Sequence, residues 1–359
     1  MMRKNNTSFE KFFSLKSIKH ENIKFIKEGD LIKNYKLIHF FTFKMLRLTI
    51  LLIVIALISF LMIHFSPIDP VSSYLEGIAV SPEKMIILQR YWGVNLTLNE
   101  RIINWITSLL QFDLGISLIY RRPVIDVIRE KFTASLILMT VSWLISGIVG
   151  FILGIIAGAK RGSLTDKLIK TYCYILQSSP SFWIALILMI IFSVYLKLFP
   201  FGLAVPVGVI ANEVTIWEWL YRLILPTITL SIIGIASIAL YTRDRIINIE
   251  NSDYFLFAKA RGESRRYIIL KHGIRNVLLP ALTLQFLSFN ELFGGTILIE
   301  QVFSYPGIGQ ATVAAGLKSD VSLLLGIVLI STIFVFVGNM LADISYKYVD
   351  VRMRDDNND

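Results

Sequence analysis

Long runs of hydrophobic residues alternate with short charged segments along most of the chain. Five windows contain no charged residue, and a sixth is interrupted only by Glu291. Each window is near the roughly 20 residues that an α-helix needs to cross about 30 Å of hydrocarbon. The pattern therefore predicts six membrane-spanning helices, within residues 48–63, 132–159, 171–196, 223–242, 276–299 and 321–342.

Small residues and a proline lie inside two of these windows. Gly147, Gly150, Gly154 and Gly158 are three to four residues apart, so they share one face of the second predicted helix. A glycine face lets another helix approach closely. We interpret this glycine face as a surface for helix packing within this chain. The alternative is that it lines a pore. Pro180 lies in the third window and is expected to bend that helix.

The segment between the fourth and fifth windows is basic, and its pattern is ordered. Tyr254, Phe257 and Ala258 are three to four residues apart, so they share one face of a predicted helix. Gly262 permits a sharp break, and a second short amphipathic helix is predicted from Arg265. Two short helices around a glycine would form a projection that docks into a groove of another protein.

The distribution of Lys and Arg predicts the orientation of the chain. If residue 1 lies in the cytosol, the cytosolic segments hold 26 of the 36 basic residues, and the outer segments are neutral overall. Basic residues concentrate in the cytosolic loops of membrane proteins. We therefore expect a multi-pass protein of the cell membrane with both termini in the cytosol. This topology explains the net charge of +10 without a nucleic-acid partner.

Composition narrows the function classes. The chain is 55% hydrophobic and 17% charged, whereas a soluble domain carries about 25% charged residues. Cys173 is the only cysteine, so no disulfide within the chain and no thiolate metal cluster is possible. The four histidines are scattered, and the sequence shows no Ser/His/Asp constellation. We therefore expect neither a metal site nor an enzyme active site in this chain.

Three regions are predicted along the chain. Residues 1–45 form a cytosolic extension, residues 46–346 the transmembrane domain and residues 347–359 a cytosolic tail. The outer loop at 66–131 is long for a connection, and one or two helices are expected between residues 82 and 111. A loop of this length usually has a role, such as an outer cap or a surface on which a partner docks.

Several motifs, taken in order, resemble one protein family. They are YFLFAKARG at 254–262 with His272, Arg275, Asn276, Leu279 and Pro280; Asp113, Leu114, Gly115, Ser117, Pro123 and Val124; Pro180 and Phe182; Gly294, Gly295, Glu300, Phe303, Pro306, Gly307 and Gly309; and Asn339, Asp343, Tyr346, Asp350 and Arg352. Their order and spacing are similar to those of ABC importer permeases, in the dipeptide/oligopeptide/nickel branch. Val351 departs from the family's terminal motif, which has proline there.

The resemblance implies an all-α membrane protein with six transmembrane helices and the type I ABC importer permease fold. Such a permease has no ATPase of its own. The partners implied are a homologous second permease, two cytosolic ATP-binding subunits, an extracytoplasmic substrate-binding protein and the lipid bilayer. No cofactor is expected in this chain, because ATP and Mg would be bound by the ATPase subunits.

The resemblance also assigns a role to the loop at 243–277, with its core at 253–272. Such loops couple the permease to the ATPase subunits, and the residues expected to do so here are Tyr254, Phe257, Ala258, Ala260, Arg261, Gly262, Arg265, Arg266, His272 and Arg275. The apolar residues would fill a cleft of the ATPase, Ala260 and Gly262 would allow close approach, and the arginines would form a polar rim. His272 would support the loop. The alternative is a basic loop that serves topology alone.

Glu291 is the one carboxylate within a predicted span. Carboxylates inside a membrane are costly and tend to face a wet cavity or a polar partner. Glu291 would line a translocation path and favour cationic or amine-bearing substrates. The alternatives are a pairing with the second permease and a place near the outer surface. The residues expected along the path are Pro180, Phe182, Asn290, Glu291, Gly294 and Gly295.

The cargo and two rival classes of protein remain open at this point. Short peptides are the first expectation, followed by nickel or metal chelates and then by glycan or opine-like solutes. A self-contained secondary transporter or channel would show inverted repeats and more carboxylates within its spans. A membrane-embedded hydrolase would need a Ser/His or paired-Asp set there, which the sequence lacks.

Overall fold

A computed structural model describes residues 42–349, apart from 59, 63–64, 66–69, 76–79, 92–95, 112, 201, 203–214 and 319. Most of the predicted extension at 1–45, part of the opening of the outer loop and the end of the tail lie outside the described residues. Residues 1–57 form one unit and residues 58–359 form a second. The described residues are helical, with one isolated antiparallel bridge between Ile116 and Pro123.

Fourteen helices are assigned to the described residues. In chain order they are α1 (Thr42–Met62), α2 (Pro70–Leu75), α3 (Pro82–Tyr91), α4 (Leu98–Leu110), α5 (Val124–Ala159), α6 (Leu164–Ser178), α7 (Ser181–Met189), α8 (Ile216–Glu250), α9 (Asp253–Ala260), α10 (Arg265–Ile268), α11 (Ile274–Leu287), α12 (Phe289–Val302), α13 (Ile308–Leu317) and α14 (Val321–Val349). A π-helix, Ile190–Tyr195, extends α7, and a π-helical turn, Ile269–Gly273, joins α10 to α11. The helices α3 and α4 confirm the one or two helices expected between residues 82 and 111.

The number of spans agrees with the sequence pattern if bent helices are counted once. Four helices, α1, α5, α8 and α14, are individually long and apolar enough to cross a membrane. Two further candidates are bent pairs: α6 with the extended α7, at 107°, and the segment Arg265–Leu287 with Glu291–Val302, at 53°. The described residues thus contain up to six spans.

The third predicted span is not one continuous helix. It breaks at Ser179 and Pro180, where α6 ends and α7 begins. Ser179 is extended, as the residue before a proline usually is, and Pro180 precedes the first turn of α7. The expected bend at Pro180 is confirmed, and it is sharp because the proline ends the first helix.

Helix α8 extends beyond the fourth predicted span at both ends. The apolar window covers 223–242, whereas α8 runs over Ile216–Glu250. A capping box between Thr215 and Glu218 starts the helix before the apolar window. At the other end, Arg243 and its charged neighbours stop the hydrophobic run without stopping the helix, because arginine is a good helix former.

Helices α5 and α8 approach each other closely along the glycine face. A Cβ atom on Gly150 would lie 2.9 Å from the Ile235 carbonyl oxygen, and one on Gly154 would lie 2.6 Å from the Ala239 carbonyl oxygen. Gly158 meets the next turns of α8 in the same way. This confirms packing within the chain, the interpretation favoured for this face.

A loop and a buried carboxylate join the start of α5 to the start of α14. The Asp320 carboxylate accepts hydrogen bonds from the Ser117 hydroxyl, at 2.6 Å, and from the Ile119 backbone N–H, at 3.1 Å. It also accepts one from the Leu323 N–H in the first turn of α14. Gly115 has a φ of +81°, which favours glycine in this turn. The motif at 113–124 is therefore a structural connection.

A second buried carboxylate, Glu300, organises the turn between α12 and α13. It accepts hydrogen bonds from the Ser135 hydroxyl of α5 and from the Gly309 backbone N–H, the latter at 2.7 Å. A Cβ atom on Gly307 would lie 2.1 Å from the carboxylate, so this position has no room for a side chain. Glu300 thereby ties α13 to both α5 and α12.

Candidate functional site

Helices α9 and α10 form a hairpin at the end of α8, with the turn that the sequence predicts. Gly262 adopts a φ of +86°, and no atom lies within 4 Å of where its Cβ would be. The turn therefore favours glycine for its backbone conformation. Ser264 caps α10, its hydroxyl accepting from the Tyr267 N–H at 3.4 Å. The two short helices around Gly262 are confirmed.

The hairpin packs on the bundle through one apolar side. Phe255 and Ala258 are buried in a cluster with Ile246 of α8, Ile268 of α10 and Val277 of α11. The prediction that Ala258 belongs to the docking face is therefore corrected. Positions 255 and 258 are three residues apart, so they share the inner face of α9.

The outer side of α9 carries large apolar groups that this chain does not cover. Phe257 is 66% exposed and Tyr254 is 40% exposed. Arg261, four residues after Phe257, continues the same face and is exposed. Ala260 and Arg266 of the hairpin and Arg275 at the start of α11 are also exposed. The structure thus brings Tyr254, Phe257 and Arg261 together on one outward surface, the α9 face.

Arg265 is engaged within the chain. Its Nε donates to Glu250 Oε1 at 2.8 Å and its Nη2 donates to Glu250 Oε2 at 2.9 Å. A planar guanidinium bound through two atoms fixes orientation as well as distance. Arg265 therefore attaches the hairpin to the last turn of α8, a role that the sequence did not reveal because the partners are fifteen residues apart.

His272 follows the hairpin, at the π-helical turn before α11. Its Nε2 lies 3.7 Å from Glu263 Oε2, and its ring lies edge-on to Tyr267 with centroids 6.5 Å apart. On the same side, Asn276 donates a hydrogen bond to the Tyr254 hydroxyl at 3.4 Å. The support role of His272 stays a prediction.

A second arginine–carboxylate pair lies near the hairpin and was not predicted. Arg243 of α8 donates from Nε to Asp166 Oδ1 at 2.6 Å and from Nη2 to Asp166 Oδ2 at 3.0 Å. The Asp166 side chain, in the first turn of α6, is only 3% exposed. The sequence signal for Asp166 is its position three residues after Ser163, the N-cap of α6. Its partner, 77 residues away, has no local signal.

The residues expected along a path fall on different surfaces. Glu291 and Gly294 are exposed on α12, and Leu298, which is 46% exposed, follows four residues later. Together they form one outward stripe, the α12 stripe. Gly295 instead faces inward, with Leu230 of α8 at 3.6 Å from its Cβ position.

The remaining path residues lie on or beside these helices. Pro180 is exposed in the corner between α6 and α7, and Phe182 is 43% exposed on α7. The side chain of Asn290 is outside the described residues. Among the described residues, no group of three His, Cys, Asp or Glu side chains could hold a metal ion.

Residues 150–355 match the family described as Binding-protein-dependent transport system inner membrane component. The chain belongs to this family. The match covers α8, the hairpin, α11 and α12, so the α9 face and the α12 stripe both lie inside the family region. Membership confirms the predicted all-α importer-permease fold, in a family of multi-pass membrane transport proteins.

Curated relatives extend the similarity to most of the chain. The oligopeptide transport system permease protein AppB of Bacillus subtilis is 30% identical over 304 residues, which cover 84% of this chain and 95% of that protein. A putative peptide transport system permease protein of Brucella abortus is 32% identical over 306 residues, 85% of this chain and 95% of that protein. The glutathione transport system permease protein GsiC of Salmonella typhimurium is 30% identical over 303 residues, 84% of this chain and 94% of that protein.

Proposed function

We propose that the chain is one of two homologous permease subunits of an ATP-driven importer, and that its cargo is short peptides. The observation that carries the coupling role is the α9 face, where Tyr254 and Phe257 are exposed on a hairpin fixed to α8. The names of the relatives, which transport oligopeptides, peptides and glutathione, support the choice of cargo.

The α9 face would fill a cleft in a cytosolic ATPase subunit. An aromatic anchor with an arginine beside it is the composition typical of energetically dominant interface residues. In this arrangement both termini are cytosolic, and ATP with Mg is bound by the two ATPase subunits, with no cofactor in this chain. An extracytoplasmic binding protein delivers the peptide on the opposite side of the membrane.

Transport would proceed by alternating access of two rigid bundles. ATP binding brings the ATPase subunits together and moves the hairpins with them. The paired permeases then open a cavity toward the binding protein, which releases its peptide. Hydrolysis returns the assembly to the inward-facing state.

The α12 stripe would face the second permease and the path between the two subunits. A carboxylate such as Glu291 is costly in contact with lipid, so its exposure on one subunit points to a polar environment in the assembly. A carboxylate there would favour the amino group of a peptide or a cationic side chain.

The test of the coupling role is Phe257→Ala in the complete importer. Removing an aromatic anchor is expected to weaken binding of the ATPase subunit by about 2 kcal/mol, or about thirtyfold. Co-purification, and affinity measurements with one partner immobilised on a surface, would report the weaker binding. The control is Leu317→Ala, since Leu317 is 81% exposed but lies on α13, away from the hairpin.

The proposal would be refuted if the wild-type chain purified alone and carried out ATP-independent uptake. The cargo is tested separately, by mass spectrometry of ligands retained by the associated binding protein. Peptides support the cargo proposed here, whereas nickel or a metal chelate would replace it while leaving the importer architecture in place.

A further inference from the structure

The last turns of α8 are held by two arginine–carboxylate pairs on one face. Arg243 binds Asp166 of α6, and Glu250 binds Arg265 of α10. Arg243 and Glu250 are seven residues apart, which is close to two full turns, or about 10 Å along the helix. The start of α6 and the hairpin are therefore fastened to the same side of α8.

The Asp166–Arg243 pair is geometrically restrictive. Both carboxylate oxygens are used, and Oδ2 also accepts the Gly162 backbone N–H at 2.9 Å. The side chains of Asp166 and Arg243 are 3% and 14% exposed. A bidentate pair this shielded from water allows little rotation of α6 relative to α8. It thus fixes the corner between α5 and α6 as well.

Apolar packing fills the space between the two pairs and the hairpin. Ile246, between Arg243 and Glu250 in the chain, is fully buried against Phe255 and Ile268. The Cβ position of Gly158, at the end of α5, is 2.7 Å from the Cβ of Ile246. The hairpin, the end of α8 and the α5–α6 corner therefore form one packed body.

The geometry points to Asp166 and Arg243 as positioning residues that transmit hairpin movement to α6, and through the Pro180 corner to α7. This inference rests on the proposed function, because it takes the hairpin as the part that the ATPase moves. Neither side chain needs to touch ATPase or peptide. Their role is to hold α6 in a fixed position relative to α8 while α8 moves.

If the Asp166–Arg243 pair transmits movement, its variants should behave differently than if the pair only stabilises the fold. Replacing a whole buried ion pair with apolar residues is often neutral, but removing one partner alone is destabilising, so assembly has to be measured beside transport. A purely structural pair would lower the amount of assembled importer, and ATP hydrolysis and transport would fall together. A transmitting pair would lower the number of peptides carried per ATP hydrolysed in importer that is assembled normally.

The experiment compares Asp166→Asn, Arg243→Lys and Asp244→Asn in the complete importer, reconstituted in liposomes with its ATPase subunits, binding protein and a labelled oligopeptide. Arg243→Lys keeps the charge and loses the bidentate geometry. Asp244→Asn is the matched control, because Asp244 is 68% exposed and also accepts from Arg243, at 2.9 Å. Assembly, ATP hydrolysis and uptake are measured on the same vesicles.

We expect Asp166→Asn and Arg243→Lys to lower the uptake per ATP at least about fivefold, the small end of typical coupling between sites. Asp244→Asn should stay within about twofold of wild type, as surface substitutions usually have small effects. An unchanged ratio in both test variants would overturn the inference. So would failure of both to assemble while Asp244→Asn assembles, since the pair would then serve folding.

Failure of the proposed function would be seen with the wild-type importer, before any variant is compared. The wild-type chain would then not co-purify with ATPase subunits or would show no ATP-dependent uptake. A wild type that assembles and transports, combined with normal ratios in the variants, would reject the transmitting role alone.

Discussion

At the residue scale, two buried carboxylates fix turns between helices by accepting several hydrogen bonds each. Glu300 and Asp320 are fully buried, and both are surrounded by backbone N–H groups and serine hydroxyls. Hydrogen bonds from several donors can stabilise a carboxylate inside a protein. Each carboxylate consequently holds a turn of the chain whose N–H groups would otherwise lack acceptors.

We predict that Glu300→Gln destabilises the protein by about 1–3 kcal/mol, because an amide NH₂ would face donors that now meet a carboxylate oxygen. The Ser135 hydroxyl accepts the Ile308 N–H at 2.7 Å and donates to Glu300, so an amide NH₂ in place of that oxygen would leave the Ser135 O–H without its acceptor. Thermal unfolding in detergent would show the loss. Gln301→Ala, at the exposed neighbouring position, should change stability by no more than about 0.5 kcal/mol.

At the scale of elements, the pattern of charge and hydropathy predicted which segments cross the membrane. It did not predict the residues at which the helices begin and end. The hydrophobic windows located all six candidate spans, because apolar length decides which segments suit the membrane. The apolar window did not show how far α8 extends, because a capping box starts the helix before the window and charged residues such as Arg243 continue it afterwards. The outward side of α9 was misjudged at Ala258, because a short helix with apolar residues on several sides does not reveal which side is buried.

The contact between α5 and α8 gives a prediction at this scale. Gly154→Ala places a methyl group 2.6 Å from a carbonyl oxygen of α8, so the helices must separate, and we expect a loss of about 1–3 kcal/mol. Unfolding in detergent measures it. Gly316→Ala on α13 is the control, because no atom lies within 4 Å of its Cβ position and alanine favours helix. Equal effects at both positions would contradict the packing account.

At the scale of the whole molecule, the exposed surfaces of one subunit indicate its assembly. The hairpin presents Tyr254 and Phe257, and the α12 stripe presents a carboxylate followed by Gly294 and Leu298. Sequence motifs located both regions. They could not show that Glu291 and Gly294 point outward while Gly295 points inward, because that depends on how α12 packs against α8.

Glu291→Gln tests the α12 stripe in the assembled importer. If the carboxylate lines the path, uptake of a cationic peptide should fall by about fivefold relative to a neutral peptide of equal length, a difference of about 1 kcal/mol. Competition uptake with labelled peptides measures the ratio. Glu83→Gln, at an exposed position on α3, is the control. Unchanged rate and selectivity would place Glu291 outside the path.

The glycine face of α5 also limits how this gene can change in length. Inserting one residue after Gly150 would rotate every later position by about 100° and turn Gly154 and Gly158 away from α8. Leu153 and Ala157 would then take their places, and their side chains would meet carbonyl oxygens that now lie within 3.0 Å of the glycine Cβ positions. Insertions and deletions should therefore be absent from this stretch of α5, and tags or reporter domains belong in other segments.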